Sequence, residues 1–101
     1  MPLDLATVTA EEFEPLRGGR FRVCWEGLEE TLTLQEIRRL RYGLPGGRSP
    51  FALTFKGGSD SILLNQRIHP LQAEGLGDIE IFLVPIGRND DGTYLYEAVF
   101  N

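Results

Sequence analysis

Histidine, cysteine and clustered carboxylates do most acid–base, nucleophilic and metal chemistry near neutral pH, and this chain offers few of them at a usable spacing. His69 is the one histidine. Pro70 follows it and no neighbour in sequence would orient its ring, so it reads as a structural or surface residue. Cys24 is the one cysteine, with no lysine or histidine close in sequence to stabilise a thiolate. Asp78, Asp90 and Asp91 flank two strand-like runs. The segment Asn89-Asp90-Asp91-Gly92 has the composition of a calcium loop, yet it lacks the alternating ligands and the distal glutamate that such a loop needs. Turn chemistry explains it better, since Asn and Asp bond the local backbone and tolerate positive φ. Gly46-Gly47 and Gly57-Gly58 precede neither Lys-Ser/Thr nor a helix start, so neither cradles phosphate. The expectation is a protein with no catalytic, cofactor-binding or metal site: not an enzyme, and without a cofactor.

Arg38, Arg39, Arg41 and Arg48, with Tyr42 and Phe51 near, form the mixture a nucleic-acid face uses. Against that, 15 acidic residues outnumber 10 basic ones, for a net charge of -5. A negative surface repels phosphate, and the chain's own glutamates are the expected partners of these arginines. Nucleic acid and membranes are excluded as primary partners. The amphipathic aromatics Trp25, Tyr42, Tyr94 and Tyr96 are the candidates for an interaction surface, because such rings are enriched where proteins bind proteins. The expected partner is then a protein, a second copy of the chain included. The alternative is a small-ligand barrel with a pocket lined by Phe51, Phe55, Phe82 and Trp25. A lone cysteine, the absence of a secretory leader pattern at the amino terminus and the absence of a run of about 20 apolar residues fit a reduced, cytoplasmic setting.

At 101 residues the chain reads as a single β domain over 1–101, large enough to bury roughly two-thirds of its unfolded surface. Thr9 with Glu12 suggests a capping box opening a short helix, which Pro15 and Gly18-Gly19 hold to about two turns. Arg20 to Trp25 alternates, with Phe21, Val23 and Trp25 on one face, and Glu26 to Glu29 reads as a turn. Glu30 to Leu40 reads as a long strand in which Leu32 and Leu34 share a face and Ile37 falls off register. A β-bulge near Gln35-Glu36 restores it; a helix over Leu34 to Leu40 is the competing reading. Tyr42 to Pro50 is a loop. Phe51, Leu53 and Phe55 alternate as a half-buried strand. Ile62-Leu63-Leu64 reads as a short strand, and Asn65 to Ala73 as a weaker one whose Pro70 belongs on an edge. Asp78 to Ile86 and Tyr94 to Phe100, joined by Gly87 and Asn89 to Gly92, form an antiparallel hairpin. Ile81, Phe82, Leu83 and Val84 put apolar groups on both faces, as in a central strand covered on both sides or one curled into a barrel. The fold class expected is mainly β: a small antiparallel barrel or two-sheet sandwich of five to seven strands with one short N-terminal helix.

Three blocks carry a resemblance. Phe13-Glu-Pro-Leu followed by Gly-Arg-Phe-Arg-Val, Pro50-Phe-Ala-Leu-Thr-Phe-Lys-Gly, and Ile81-Phe-Leu-Val-Pro-Ile-Gly with Tyr96-Glu-Ala-Val-Phe-Asn101 make the chain similar to a small family of uncharacterised bacterial domains. The resemblance covers most of the chain. It implies no catalytic residues, since none is established for the family. Some members are encoded near proteins like phage tail-collar components, which implies a structural or accessory role beside a tail-like assembly.

Overall fold

Alternation along the strands decides which side chains turn inward. The computed structural model describes residues 8–25, 28–40, 50–73 and 77–100, and only the backbone of Cys24, Trp25 and Leu28. The elements are a one-turn helix α1 (Ala10–Phe13), a 3-10 turn (Glu14–Leu16), and strands β1 (Arg20–Trp25), β2 (Leu28–Arg39), β3 (Phe51–Gly57), β4 (Arg67–Ala73), β5 (Gly77–Arg88) and β6 (Tyr94–Phe100). These six strands close into a barrel in the order β1-β2-β3-β6-β5-β4, with antiparallel pairing throughout. The mainly β class with one short N-terminal helix is therefore observed, and of the two architectures expected it is the barrel.

The long strand over the second quarter is β2, and the helical reading of Leu34 to Leu40 is overturned. Leu34 pairs with Phe55 and Glu36 with Thr54, so the register shifts by one residue between them. That bulge returns Ile37 to the inner face with Leu32 and Leu34, where all three are buried. Over Leu34–Arg39 the ladder bonds come from β3, while β1 pairs with the earlier part of β2, as far as Thr33. Leu28 and Glu29 lie in β2, opposite Trp25 and Cys24, and not in the expected turn; the rest of that turn, 26–27, lies outside the described residues. Of the loop expected over Tyr42 to Pro50, residues 42–49 lie outside the described residues as well.

Two other expectations need correction, and the edge setting of Pro70 holds locally. Thr9 sits at the helix N-cap but its side chain makes no capping hydrogen bond; only its backbone carbonyl accepts, from the Glu12 N–H at 3.1 Å. A four-residue helix has too little ladder to stand alone, and α1 is held by packing instead. Ile62 to Leu64 forms no strand, although Leu64 is buried in the core. Pro70 lies within a strand paired on both sides, but β4 meets β1 only over Leu71–Ala73. At Pro70, among the described residues, the strand has β5 alone for a neighbour, the one-sided setting that a residue without an N–H tolerates.

The interior is aromatic at two levels. Phe51 and Phe100 stack at 4.7 Å with planes 4° apart, and Phe13 from α1 leans on both, at 5.9 and 5.8 Å. Phe21 meets Phe55 edge-on at 5.1 Å. The helix thus closes one end of the barrel.

Candidate functional site

Of the four aromatics expected at a surface, Tyr96 is a correction. It is fully buried, in the same register parity as Ala98 and Phe100, and its hydroxyl accepts the Leu64 N–H at 3.0 Å. Tyr94 is half-buried against the core, with the Arg88 guanidinium 5.2 Å from its ring centre. Tyr42 and the Trp25 side chain lie outside the described residues. The aromatics expected to line a ligand pocket do not meet: Phe51 and Phe55 are buried inside the barrel, while Phe82 points out, 49% exposed.

His69 is buried rather than on the surface, 3% exposed, and its Nε2–H donates to the Asn65 carbonyl at 2.8 Å. A carbonyl can only accept, so that bond fixes the proton on Nε2. The histidine and Tyr96 together hold adjacent residues of the irregular segment between β3 and β4. Arg38 and Arg39 pair with glutamates as the charge balance suggested: Arg38 with Glu97 at 3.0 Å, Arg39 with Glu11 at 2.8 Å. Arg41 and Arg48 fall outside the described residues.

The acidic turn is occupied by its own backbone. The Thr93 N–H and hydroxyl both donate to Asp91 Oδ1, at 2.9 and 2.6 Å, and Lys56 Nζ lies 3.0 Å from Oδ2. Gly92 takes a φ of 90°, which a side chain would strain. The Thr93 hydroxyl, the Thr93 N–H and then Lys56 hold the Asp91 carboxyl well below the usual range. A depressed folded value means a contribution that is complete above the ordinary aspartate pKa of about 4 and fades as the pH falls below it. Thr93 amide protection should therefore drop in that acid range. Asp91→Asn should remove the pH dependence, and unchanged exchange in both proteins down to about pH 2 would contradict this account.

Glu30 is a buried acid that the sequence reading passed over, although it shares parity with Leu32 and Leu34. It is 4% exposed. Oε1 accepts the Thr31 N–H at 2.8 Å and Oε2 has no hydrogen-bond partner among the described residues. A buried acceptor left unsatisfied costs free energy.

What the structure does assemble is an apolar strip on the outer wall. Ile68 on β4 pairs with Phe82 on β5, and Val99 on β6 lies across from them. The three are 56%, 49% and 50% exposed. They line a surface cleft of about 240 Å3 together with Glu80, Ile81, Ala98 and Phe100. Its origin is in the ladders. β5 pairs with β4 over Gly77–Leu83 and with β6 only from Val84 onward. β6 keeps its β3 partners as far as Phe100, so among the described residues the β5–β6 ladder does not extend to Phe82–Leu83 and Ala98–Val99, which lie beside the cleft. The apolar residues on both faces of β5 were the sequence signal for this strip; Val99 and Ile68 gave none that distinguished them from ordinary outward residues. No described helix is long and apolar enough to cross a membrane, and no group of three or more metal-ligating side chains gathers among the described residues.

Comparison with known proteins returns one finding. A family model described as Domain of unknown function (DUF6916) matches residues 8–100. No curated protein and no solved structure matches the chain. Those matched residues span α1 and all six strands of the barrel, and the chain belongs to that family of uncharacterised domains.

Proposed function

We propose that this chain is a non-enzymatic β-barrel domain that works by protein–protein contact, through the outer strip formed by Ile68, Phe82 and Val99. The observation that carries the reading is the clustering. Of five large apolar side chains about half exposed among the described residues, these three line one cleft. Scattered surface hydrophobics need no explanation, whereas a contiguous set marks a contact site. In support of a non-catalytic role, the groups best suited to chemistry have structural occupations: His69 binds a backbone carbonyl and Asp91 ties down a turn. With Arg38 and Arg39 engaged by glutamates, a protein is a better partner than nucleic acid. A contact domain is also the kind of accessory that the family resemblance implies beside a phage-tail-like assembly, in a bacterial cytoplasm.

The test is photo-crosslinking in cells of the source organism, with p-benzoylphenylalanine at position 82 and, as control, at exposed position 60. A discrete adduct is expected from position 82 only, and it should vanish in an Ile68→Asp, Val99→Asp background whose melting temperature is retained. No adduct at 82, or the same adduct at 60, sinks the reading.

A further inference from the structure

We infer that the cleft seats a cationic side chain of the partner protein, a lysine or arginine. Its aliphatic stem lies against Ile68, Phe82 and Val99, and its charged head meets the Glu80 carboxylate. This rests on the contact reading above and specifies its partner. Lysine and arginine cover apolar surface with their stems while the head stays at a polar rim, and the cleft offers both parts. Ile68 and Phe82 are direct partners across β4 and β5. Glu80 is the one charged residue among those that line the space. It stands two residues before Phe82 on β5, so the two project to the same outer face, where both are exposed.

Size favours one anchoring side chain over a free small ligand. The cleft holds about 240 Å3, below the roughly 300–1,000 Å3 of pockets that enclose small molecules. A cation resting over the Phe82 ring also gains from the negative face of its π-system.

Charge sets the sign. Glu80 takes part in none of the ion pairs among the described residues, and neither does Asp78, exposed two residues before it on the same face. A cation brought to the cleft therefore meets two acids that have no counter-ion of their own. The same charges argue against a second copy of the chain as the occupant. Lys56, Arg17, Arg22, Arg38 and Arg39 already lie against carboxylates, and each copy would bring a net charge of -5. An unlike, basic partner fits better.

The experiment sorts a random twelve-residue peptide library, displayed on yeast, against the intact protein and in parallel against Glu80→Lys. The parent should enrich peptides that place Lys or Arg beside apolar residues. The charge-reversed protein should enrich Asp or Glu at that place instead. The best parent-selected peptide should bind Glu80→Gln about fivefold more weakly at low salt, with the gap closing as salt is raised. In the labelled parent it should shift the amides of Glu80, Phe82 and Val99. Glu80→Gln introduces no new charge, so it carries the test alone where Glu80→Lys lowers the melting temperature. No enrichment, enriched peptides without a cation, equal binding to Glu80→Gln, or shifts confined to other residues each overturns the proposal. Crosslinking from position 82 does not sense the partner's charge. A discrete adduct with a failed selection would reject the cationic anchor and leave the contact reading standing.

Discussion

Phe13→Ala is expected to cost about 3–5 kcal/mol of folding stability, the usual range for truncating a fully buried phenylalanine. Phe13 has no exposed surface and its ring leans on the stacked pair Phe51 and Phe100. Truncation leaves a void against two rings that are themselves fixed in β3 and β6. Those strands are paired with each other from Phe51 to Lys56 and from Leu95 to Phe100, which limits how far they can collapse to fill it. The rest of α1 has little else to hold it. Its four residues lack helical stability of their own, the Thr9 side chain does not cap it, and the Arg39–Glu11 pair is exposed, where ion pairs contribute little. The loss should appear as a lower denaturant midpoint without a change of slope. Phe13→Leu keeps most of the volume and should lose only about 1–1.5 kcal/mol. An alanine variant within about 1 kcal/mol of the parent would mean that the helix is not the plug of this barrel.

The difference between what the sequence disclosed and what it withheld follows the range of the forces involved. β1 and β3 were legible because Phe21, Val23, Phe51, Leu53 and Phe55 alternate over a few residues, and alternation is a local property of a half-buried strand. The bulge in β2 was legible for the same reason: Ile37 had to rejoin Leu32 and Leu34, and one extra residue is the smallest correction that does so. The terminal hairpin announced itself through the turn formers between two apolar runs. Leu64, in contrast, is held by the bond its N–H donates to the Tyr96 hydroxyl and not by a ladder, so its short apolar run resembled a strand it does not form. Tyr96 carried the right parity for the core, but its hydroxyl suggested a wet surface; only the fold supplies the buried N–H that satisfies it. Beyond the apolar residues on both faces of β5, the cleft was illegible. It arises because β5 changes partner from β4 to β6 at residue 84, a matter of how six strands close, which no window of sequence contains.

Tyr96→Phe should cost about 1–3 kcal/mol, because it removes the acceptor of a buried backbone donor without offering another. The Leu64 N–H lies outside any described strand and donates to the Tyr96 hydroxyl at 3.0 Å; the Phe ring fills the same space but leaves that N–H dry. The next residue is held separately, by the bond from His69 Nε2 to the Asn65 carbonyl. Two anchors on adjacent residues of one irregular segment should couple, so Tyr96→Phe with His69→Ala is expected to depart from additivity by at least about 0.5 kcal/mol. Alkaline titration gives an independent check. Burial, ahead of the Glu30 carboxylate, pushes the Tyr96 phenol above its usual value. A folded value raised in this way leaves the contribution of the neutral phenol whole below the ordinary tyrosine pKa of about 10 and erodes it as the pH climbs beyond. The parent should therefore lose stability above that pH more steeply than Tyr96→Phe does, and the gap between their melting temperatures should narrow. Parallel curves for the two proteins up to about pH 11 would show that the hydroxyl is not buried as described, and exchange at Leu64 would then be as fast in the parent as in the variant.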